Sequence, residues 1–345
     1  MKTSVQKLEL AFVWQKPSVG YVWEDCQACD AWGETFEHLS ENELLYQDIP
    51  EGPFLTEADY KQSMIPWEPF GNAALFARFA DIEPNAESFM KWANGHGRLI
   101  DVDSDIHSNV FILSKNAIVK KGDLYQGSGD MPLHAKDNQL YRRVRPDSLN
   151  FWLREYRELS FAVVLWEMAV NKDARLNGII EWAHEGQRMY VHKFRKEALK
   201  NIDFDRFRAD ESYLLEHTVG RDILFDVRDP HLAWMSHHCR YPDVTKAASI
   251  YLQLRVNRKI REYPINITFH MDDKGILHKR LEPGSLLSAM WYQLYFALNG
   301  EIRLRRCSLC GTWESMEGHR ENWSKHASCA NNERVRRSRE KSARP

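Results

Sequence analysis

Apolar side chains recur every three or four residues in the second half of the chain, which is the spacing of helices with a buried face. The longest such stretch begins near residue 148, and the last one ends at Asn299-Gly300, a pair that stops helices. Two shorter helices are predicted before residue 100, and Pro84 and Asn94-Gly95 mark the ends of the second one. The predicted helices cover approximately residues 72–80, 84–94, 148–168, 176–200, 243–261 and 286–298.

Alternation of apolar residues with polar ones predicts short strands elsewhere. Two β-like runs lie at about 8–14 and 19–23, and at most one further hairpin is predicted between 110 and 119. A clearer antiparallel hairpin is predicted over 265–281, with Gly275 in its turn. The whole pattern predicts an α+β fold, a mostly helical body with short antiparallel β elements and a small C-terminal zinc-finger module.

Length and composition indicate two regions and that module. The chain has 345 residues, and 43% of them are hydrophobic and 12% aromatic, so it can bury a large core and is not disordered. The length also exceeds one average domain. We expect an N-terminal α+β region over 1–145, a mainly helical region packed with it over 146–302, and the C-terminal module over 303–345.

The sequence also indicates a compartment. No apolar run approaches the ~18 residues that a membrane span needs, and the N-terminus lacks the apolar core of a signal peptide. Six Cys in 345 residues are too few for a disulfide scaffold. We therefore expect a protein of the reducing cytoplasm with no membrane partner.

The net charge of −2 hides an uneven distribution. Residues 303–345 hold 11 Lys and Arg against 5 Asp and Glu, a balance of +6. Residues 1–302 hold 36 against 44, a balance of −8. The sequence therefore describes an acidic body with a short basic tail, and three of the six Cys lie in that tail.

The basic tail carries a metal-binding pattern. Cys307-x2-Cys310, followed by a glycine, has the spacing of a zinc knuckle, in which a tight turn directs two sulfurs at one tetrahedral ion. Cys329 can supply a third thiolate near the start of a predicted helix. The fourth ligand is His326 or His319, and His326-x2-Cys329 is the better spacing. Because unrelated thiols would leave this polar segment without anything to fold it, we predict one structural Zn²⁺ held by Cys307, Cys310, His326 and Cys329.

Further residues of the tail complete a longer motif. After the Cys pair come Arg320 and Trp323, and Cys329 precedes an Arg-rich segment. With these residues, the stretch 303–342 resembles the C-terminal CGNR-type zinc finger of a family of bacterial proteins. Ser324 stands where the family has a further Cys, so His326 replaces that ligand, and Ala-Asn-Asn replaces Gly-Asn-Arg after Cys329. The resemblance implies a DNA-binding transcriptional regulator with a ligand- or stress-sensing N-terminal region.

The segment that follows Cys329 predicts a basic helix over about 330–341. Its cations cover one face and the flanking faces, an arrangement that suits contacts with phosphates. Asn residues at its start are candidate readers of bases. The alternative is a solvated basic end that docks on the acidic body or on the acidic patch of a partner. The candidate nucleic-acid-binding residues are Asn331, Asn332, Arg334, Arg336, Arg337, Arg339 and Lys341.

Other clusters have simpler interpretations. Cys26-x2-Cys29 with His237-His238-Cys239 could form a second zinc site, but nothing in the sequence joins the two groups, so reduced thiols and a core histidine are favoured. Asp101-x-Asp103-x-Asp105-x-His107 lacks the Gly and Glu of an EF-hand loop and favours a polar turn. The sequence contains no P-loop, dinucleotide fingerprint or nucleophile elbow.

These features together favour a cytoplasmic bacterial regulator or defence accessory protein. In this hypothesis the zinc module binds DNA or RNA, and the acidic body senses a ligand or a partner. The alternative is a non-enzymatic interaction subunit whose zinc module docks on an acidic partner protein. No enzyme motif is found and no catalytic residue is assigned, although scattered catalytic residues in the body stay open.

Overall fold

The fold is that of a computed structural model of the chain. The described residues form seven α-helices and sixteen strands, so the predicted α+β class is confirmed. No helix among them is both long enough and apolar enough to cross a membrane. The structure describes residues 9–10, 12–25, 27–29, 53–58, 62–100, 111–120, 135–136, 139–144, 147–183, 185–194, 198, 202, 213, 216, 218–229, 233, 241–271, 275, 277–316 and 326–342.

Five of the helices predicted over the body are confirmed, with ends within a few residues of those expected. Asn85 caps the second helix because its side chain accepts a hydrogen bond from the Ser88 amide at 2.8 Å. Gly97 ends that helix with a φ of +93°, a conformation that favours glycine. The helices are α1 (Leu75–Asp81), α2 (Ala86–His96), α3 (Leu149–Asn171), α4 (Leu176–Ile179), α5 (Val244–Glu262), α6 (Leu286–Leu298) and α7 (Ala327–Ser342).

The strands pair into six small sheets. All described pairs are antiparallel except β1 with β14. The sheets are β1-β14-β13, β10-β11-β12, β4-β7-β9-β8, β2-β6, β3-β5 and β15-β16. The strands are β1 (Glu9–Leu10), β2 (Trp14–Pro17), β3 (Tyr21–Glu24), β4 (Gln27–Cys29), β5 (Phe54–Glu57), β6 (Met64–Trp67), β7 (Phe111–Lys120), β8 (Ala135–Lys136), β9 (Gln139–Val144), β10 (Ile180–Ala183), β11 (Arg188–Phe194), β12 (Thr218–Asp226), β13 (Ile265–Met271), β14 (Leu277–Pro283), β15 (Leu304–Arg306) and β16 (Trp313–Ser315).

The helix predicted over 176–200 is wrong. Among the described residues of this range, the α-helix is limited to α4, and the chain continues as β10 and β11, which pair in an antiparallel hairpin. The turn between them contains Glu185 and Gly186, both with positive φ, which a helix cannot accommodate. Met189 and Val191 are buried two residues apart, as the period of a strand requires.

The hairpin predicted between 110 and 119 is also wrong. Residues 111–120 form one continuous strand, β7, which pairs with β4 on one side and β9 on the other. Its register with β9 shifts between Leu113 and Ile118, so the polar residues between them interrupt the pairing without reversing the chain. The hairpin predicted over 265–281 is confirmed as β13 and β14, and Gly275 lies between them with a φ of +76°.

The chain divides into two compact units, and unit 1 consists of Met1–Phe70, Ile82–Glu158 and Lys259–Ala289. Its core includes Trp152, which is fully buried and packs against Phe89 with ring centroids 5.6 Å apart. A buried polar network lies beside this aromatic core. In it, Lys259 contacts both carboxylate oxygens of Glu155, at 2.8 and 3.1 Å, and the Tyr263 hydroxyl donates to the same carboxylate.

Unit 2 consists of Gly71–Asp81, Leu159–Arg258 and Met290–Pro345. Phe76 of α1 packs against Trp166 of α3, with ring centroids 5.8 Å apart. Gln293 of α6 is fully buried, and its amide donates to the Asn72 carbonyl at 2.8 Å. Aromatic packing and satisfied polar groups therefore hold the helices of this unit together.

Candidate metal centre

The Cys pair of the tail lies on a β-hairpin. Strands β15 and β16 pair in antiparallel register, and the turn between them is closed by two backbone hydrogen bonds. The Gly311 amide donates to the Cys307 carbonyl at 2.8 Å, and the Cys307 amide donates to the Thr312 carbonyl at 2.9 Å. Gly311 has a φ of +71°, in the left-handed region where glycine is strongly favoured. The turn that the sequence predicts from Cys-x2-Cys-Gly is therefore present.

The four predicted ligands converge. The ligand atoms of Cys307, Cys310, His326 and Cys329 all lie within 4.8 Å of one another. His326 Nδ1 is 3.3 Å from Cys310 Sγ and 3.8 Å from Cys329 Sγ. A tetrahedral ion with bonds of about 2.0 Å to nitrogen and about 2.3 Å to sulfur separates its ligand atoms by about 3.5 to 3.8 Å. The four side chains are thus positioned to hold one metal ion.

A fifth side chain orients the histidine. Glu314 of β16 lies with Oε2 at 2.9 Å from His326 Nε2. Because this nitrogen faces a carboxylate, Nε2 is the protonated nitrogen when the ring binds a metal, and Nδ1 is the one that faces the thiols. Glu314 is not among the residues predicted from the sequence. The spacing of Glu314 from the cysteines matches no known metal-binding motif. Only the fold places β16 beside His326.

The thiols differ in how readily they ionise. Burial acts to raise the pKa of Cys307, but amide hydrogen bonds, those of Cys310 and His326 among them, outweigh it and lower the pKa to about 6. The hydroxyl and amide of Thr312 lower the pKa of Cys310. A hydrogen bond between Cys329 and Cys310, together with burial, raises the pKa of Cys329 to about 11. Three thiolates at this distance repel one another, so the complete set is stable only around a cation.

Two residues of the hairpin anchor it in unit 2. Trp313 is 3% exposed and packs against Trp166 of α3, with ring centroids 5.6 Å apart. The Arg306 guanidinium lies 4.2 Å from the centre of the Trp313 ring and forms ion pairs with Asp81 at 2.7 Å and Glu167 at 2.9 Å. Neither anchor is predicted from the sequence, although a tryptophan in a polar tail is itself a signal of packing.

The basic helix is present and longer than predicted. It is α7, which begins at Ala327, so that Cys329 lies in its first turn. The side chains of 330–332 and 334–336 are exposed, and Val335 is 45% exposed. Arg334 donates to Asn331 Oδ1 at 3.0 Å within the helix. This part of the helix therefore presents exposed side chains, two of them arginines, in the described structure.

Several predicted sites lie outside the described residues. They include the alternative ligand His319, and the side chains of Arg337, Arg339 and Lys341, for which only the helical backbone is described. The other candidate clusters also lie there, namely Cys26, the Cys29 side chain, 237–239 and 101–107. Within the part of the chain that is described, the C-terminal four form the one group of three or more Cys, His, Asp and Glu that could hold a metal ion.

Comparison of the chain with models of protein families, with curated proteins and with solved structures gives no match. The resemblance of residues 303–342 to the CGNR-type zinc finger therefore stays a prediction. The evidence for metal binding at the C-terminal cluster is therefore the geometry of its four side chains.

Proposed function

We propose that this chain is a zinc-finger nucleic-acid-binding protein, a bacterial cytoplasmic regulator or defence accessory protein. One observation carries the proposal: a cluster of three Cys and one His, whose ligand atoms lie within 4.8 Å of one another, is at the start of an Arg-rich helix. The acidic remainder of the chain is proposed to sense a ligand or a partner protein.

The donor set supports zinc as the metal. Thiolates and imidazoles at tetrahedral spacing suit Zn²⁺, whereas Mg²⁺ and Ca²⁺ prefer oxygen ligands. Four protein ligands complete the coordination of the ion and leave no open position for substrate. The proposed ion is therefore structural, and it holds the hairpin β15–β16 to the first turn of α7.

Charge and exposure support nucleic acid as the partner. Residues 303–345 carry a balance of +6, although the whole chain carries −2. Arg334 and Arg336 are exposed, and the same helix contributes Arg337, Arg339 and Lys341. Each cation that contacts a phosphate releases a counterion, so several of them on one helix give a salt-dependent affinity. Asn331 and Asn332 at the start of the helix are the proposed base contacts.

The zinc content of the purified chain tests the metal. We expect one zinc per chain, and we expect Cys310→Ser to remove it because three ligands hold the ion far more weakly than four. The control is Ser308→Ala, which changes an exposed residue between the two cysteines, removes no ligand and should leave the zinc content unchanged. A wild-type protein that is folded over 303–342 without bound metal contradicts the zinc proposal.

Binding as a function of salt concentration tests the partner. We expect full-length protein to bind a short DNA duplex or a single strand at low salt. The double variant Arg337→Ala with Lys341→Ala should lower the slope of log affinity against log salt by about 1.8 for duplex DNA. The matched control is Lys91→Ala with Lys246→Ala, which removes two exposed cations from α2 and α5.

Two results contradict nucleic-acid binding. One is the absence of binding to duplex and single strands of DNA and RNA at low salt. The other is an equal slope for the α7 variant and its control. Either result, with the zinc retained, leaves the alternative in which the zinc module docks on an acidic partner protein.

A further inference from the structure

Unit 1 contains a cavity of about 650 Å³, whereas the Cys and His cluster belongs to unit 2. Sites for small molecules in proteins have volumes of about 300 to 1,000 Å³. Among the described residues, the cavity is lined by parts of β2, β3, β5, β6, β13 and β14, by the residues before β2 and by the chain after α2. Its size therefore admits a small organic molecule.

Large apolar side chains form much of the wall. Phe12 and Trp14 are each 9% exposed and pack together with ring centroids 5.4 Å apart. Tyr21 is 4% exposed, and Met64 of β6 is more accessible at 37%. Burial raises the pKa of Tyr21 to about 12, so its hydroxyl keeps its proton. The wall therefore offers flat apolar surface and one neutral hydroxyl.

A buried cation also lines the cavity. Arg98 is 5% exposed, and its Nη2 donates to the Leu55 carbonyl at 2.8 Å. Its guanidinium carbon lies 5.2 Å from the centre of the Tyr21 ring, while its Nε has no hydrogen-bond partner among the described residues. The Trp14 indole fixes the backbone here by donating to the Arg98 carbonyl at 3.0 Å. Arg98 forms no ion pair with a described residue, although its charge acts on the buried carboxyl of Asp147. Because burial raises the pKa of that carboxyl to about 7, Asp147 neutralises the guanidinium only in part, and the remaining charge attracts an anion.

A carboxylate lines the same cavity. Glu57 is directly opposite Tyr21 in the pairing of β3 with β5. It is only partly exposed and forms no ion pair with any described residue. Two further charges of the lining, Arg280 and Glu282, are paired with each other at 4.0 Å. The lining therefore leaves one cation, Arg98, and one anion, Glu57, for a ligand.

We propose that this cavity binds a zwitterionic small molecule of the α-amino-acid type with an apolar side chain. Its carboxylate contacts Arg98, its ammonium contacts Glu57, and its side chain packs against Phe12, Trp14 and Met64. A simple anion is attracted by Arg98 but repelled by Glu57. A simple cation is attracted by Glu57 but repelled by Arg98. Only a ligand that carries both charges is attracted by both groups.

Three matched probes test this proposal by isothermal titration of the full-length, metal-loaded protein. L-phenylalanine carries both charges, 3-phenylpropanoate lacks the ammonium, and 2-phenylethylamine lacks the carboxylate. We expect L-phenylalanine to bind at least about tenfold more tightly than either relative, since each charged contact is worth about this factor. Other apolar amino acids serve as further probes in a thermal-shift screen.

Variants separate the two contacts. Glu57→Gln should lower the affinity for L-phenylalanine to about that for 3-phenylpropanoate, while 3-phenylpropanoate binds at least as well as before. Glu87→Gln, which changes an exposed carboxylate on α2, is the control and should alter neither affinity. Arg98→Lys keeps the charge and removes the planar pair of donors of the guanidinium. It should therefore weaken the binding of both L-phenylalanine and 3-phenylpropanoate.

The proposal is overturned if no apolar amino acid at millimolar concentration gives heat or raises the melting temperature. It is also overturned if the three probes bind equally, or if Glu57→Gln behaves like Glu87→Gln. These outcomes do not depend on the zinc content or on nucleic-acid binding, which report on unit 2.

Discussion

The two nitrogens of His326 have different partners. Nδ1 lies 3.3 Å from Cys310 Sγ, and Nε2 lies 2.9 Å from Glu314 Oε2. A carboxylate on the far side of a metal-binding ring fixes its tautomer and makes the ligating nitrogen more basic. Glu314 is therefore a positioning residue that acts on the metal through the histidine.

Loss of this carboxylate should weaken metal binding without removing a ligand. We expect Glu314→Ala to lower the zinc affinity by about 10- to 100-fold. Competition with a chromophoric chelator measures this affinity. Glu314→Gln should restore part of it because the amide oxygen still accepts from Nε2. Glu301→Ala, at an exposed site before the hairpin, is the control, and an equal affinity for Glu314→Ala and this control contradicts the assignment.

Asp147 is the second residue whose surroundings make a measurable prediction. It is 1% exposed, and burial raises the pKa of its carboxyl from 3.8 to about 7, while the charge of Arg98 and the Trp152 indole oppose that rise. Between these two pH values the folded chain holds a proton that the unfolded chain has lost. Stability should therefore fall as the pH rises from about 4 to about 7.

Urea unfolding across this pH range checks the prediction. Asp147→Asn has no proton to lose, so the part of the slope due to this residue should disappear in that variant. Asp25→Asn changes an exposed carboxylate of unit 1 and should retain the wild-type slope. If both variants show the wild-type dependence on pH, Asp147 does not control it.

At the scale of elements, a buried ion pair joins α3 to α5. Lys259 is 5% exposed and Glu155 is fully buried, and the two are 2.8 Å apart. Lys259→Met leaves the Glu155 carboxylate buried with fewer partners, which should destabilise the protein by about 3 to 5 kcal/mol. Replacing both residues by Met should recover part of that loss, since no uncompensated charge then remains.

Chemical denaturation measures the two variants and a control. Lys246→Met lies at the exposed start of the same helix and should change stability by less than about 0.5 kcal/mol. If Lys259→Met is as mild as Lys246→Met, then the buried pair contributes little to the stability of unit 1.

Which elements could be predicted from sequence depended on how clearly each segment is bounded. The helix over Leu286–Leu298 was predicted to within a residue because Pro283-Gly-Ser and Asn299-Gly300 mark its ends. The helix over 176–200 was wrong because a short apolar run such as Met189 to Phe194 fits either period. The turn that distinguishes a hairpin from a helix here depends on the positive φ of Glu185, and a glutamate does not indicate a positive φ from its residue type.

The same limit applies to the candidate site. Two cysteines three residues apart reveal a local turn, so the sequence could identify Cys307 and Cys310 directly. The choice of His326 over His319 rested on spacing from Cys329 alone. Glu314, Trp313 and Arg306 could not be found in this way, since each acts through a partner more than ten residues away.

At the scale of the whole molecule, the hairpin of the basic tail is part of a compact unit. The sequence described this tail as a small appendage on an acidic body, but Trp313 and Arg306 connect its hairpin to α1 and α3 within unit 2. These contacts are aromatic and ionic and involve no metal ligand. Helix α7, by contrast, is joined to the hairpin through the Cys and His cluster, and its side chains over 330–332 and 334–336 are exposed.

Removal of the metal should therefore unfold one end of the molecule and spare the rest. We expect chelation to abolish hydrogen-exchange protection in α7, because a short, strongly charged helix whose described side chains are largely exposed is unstable alone. Protection in α3 should persist, since Trp166 keeps its contacts with Phe76 and Trp313. Trp313→Ala supplies the opposite case: with zinc bound, α7 should stay protected while unit 2 loses about 3 to 5 kcal/mol of stability. If chelation unfolds α3 together with α7, the metal stabilises the whole unit and the hairpin anchors do not act independently of it.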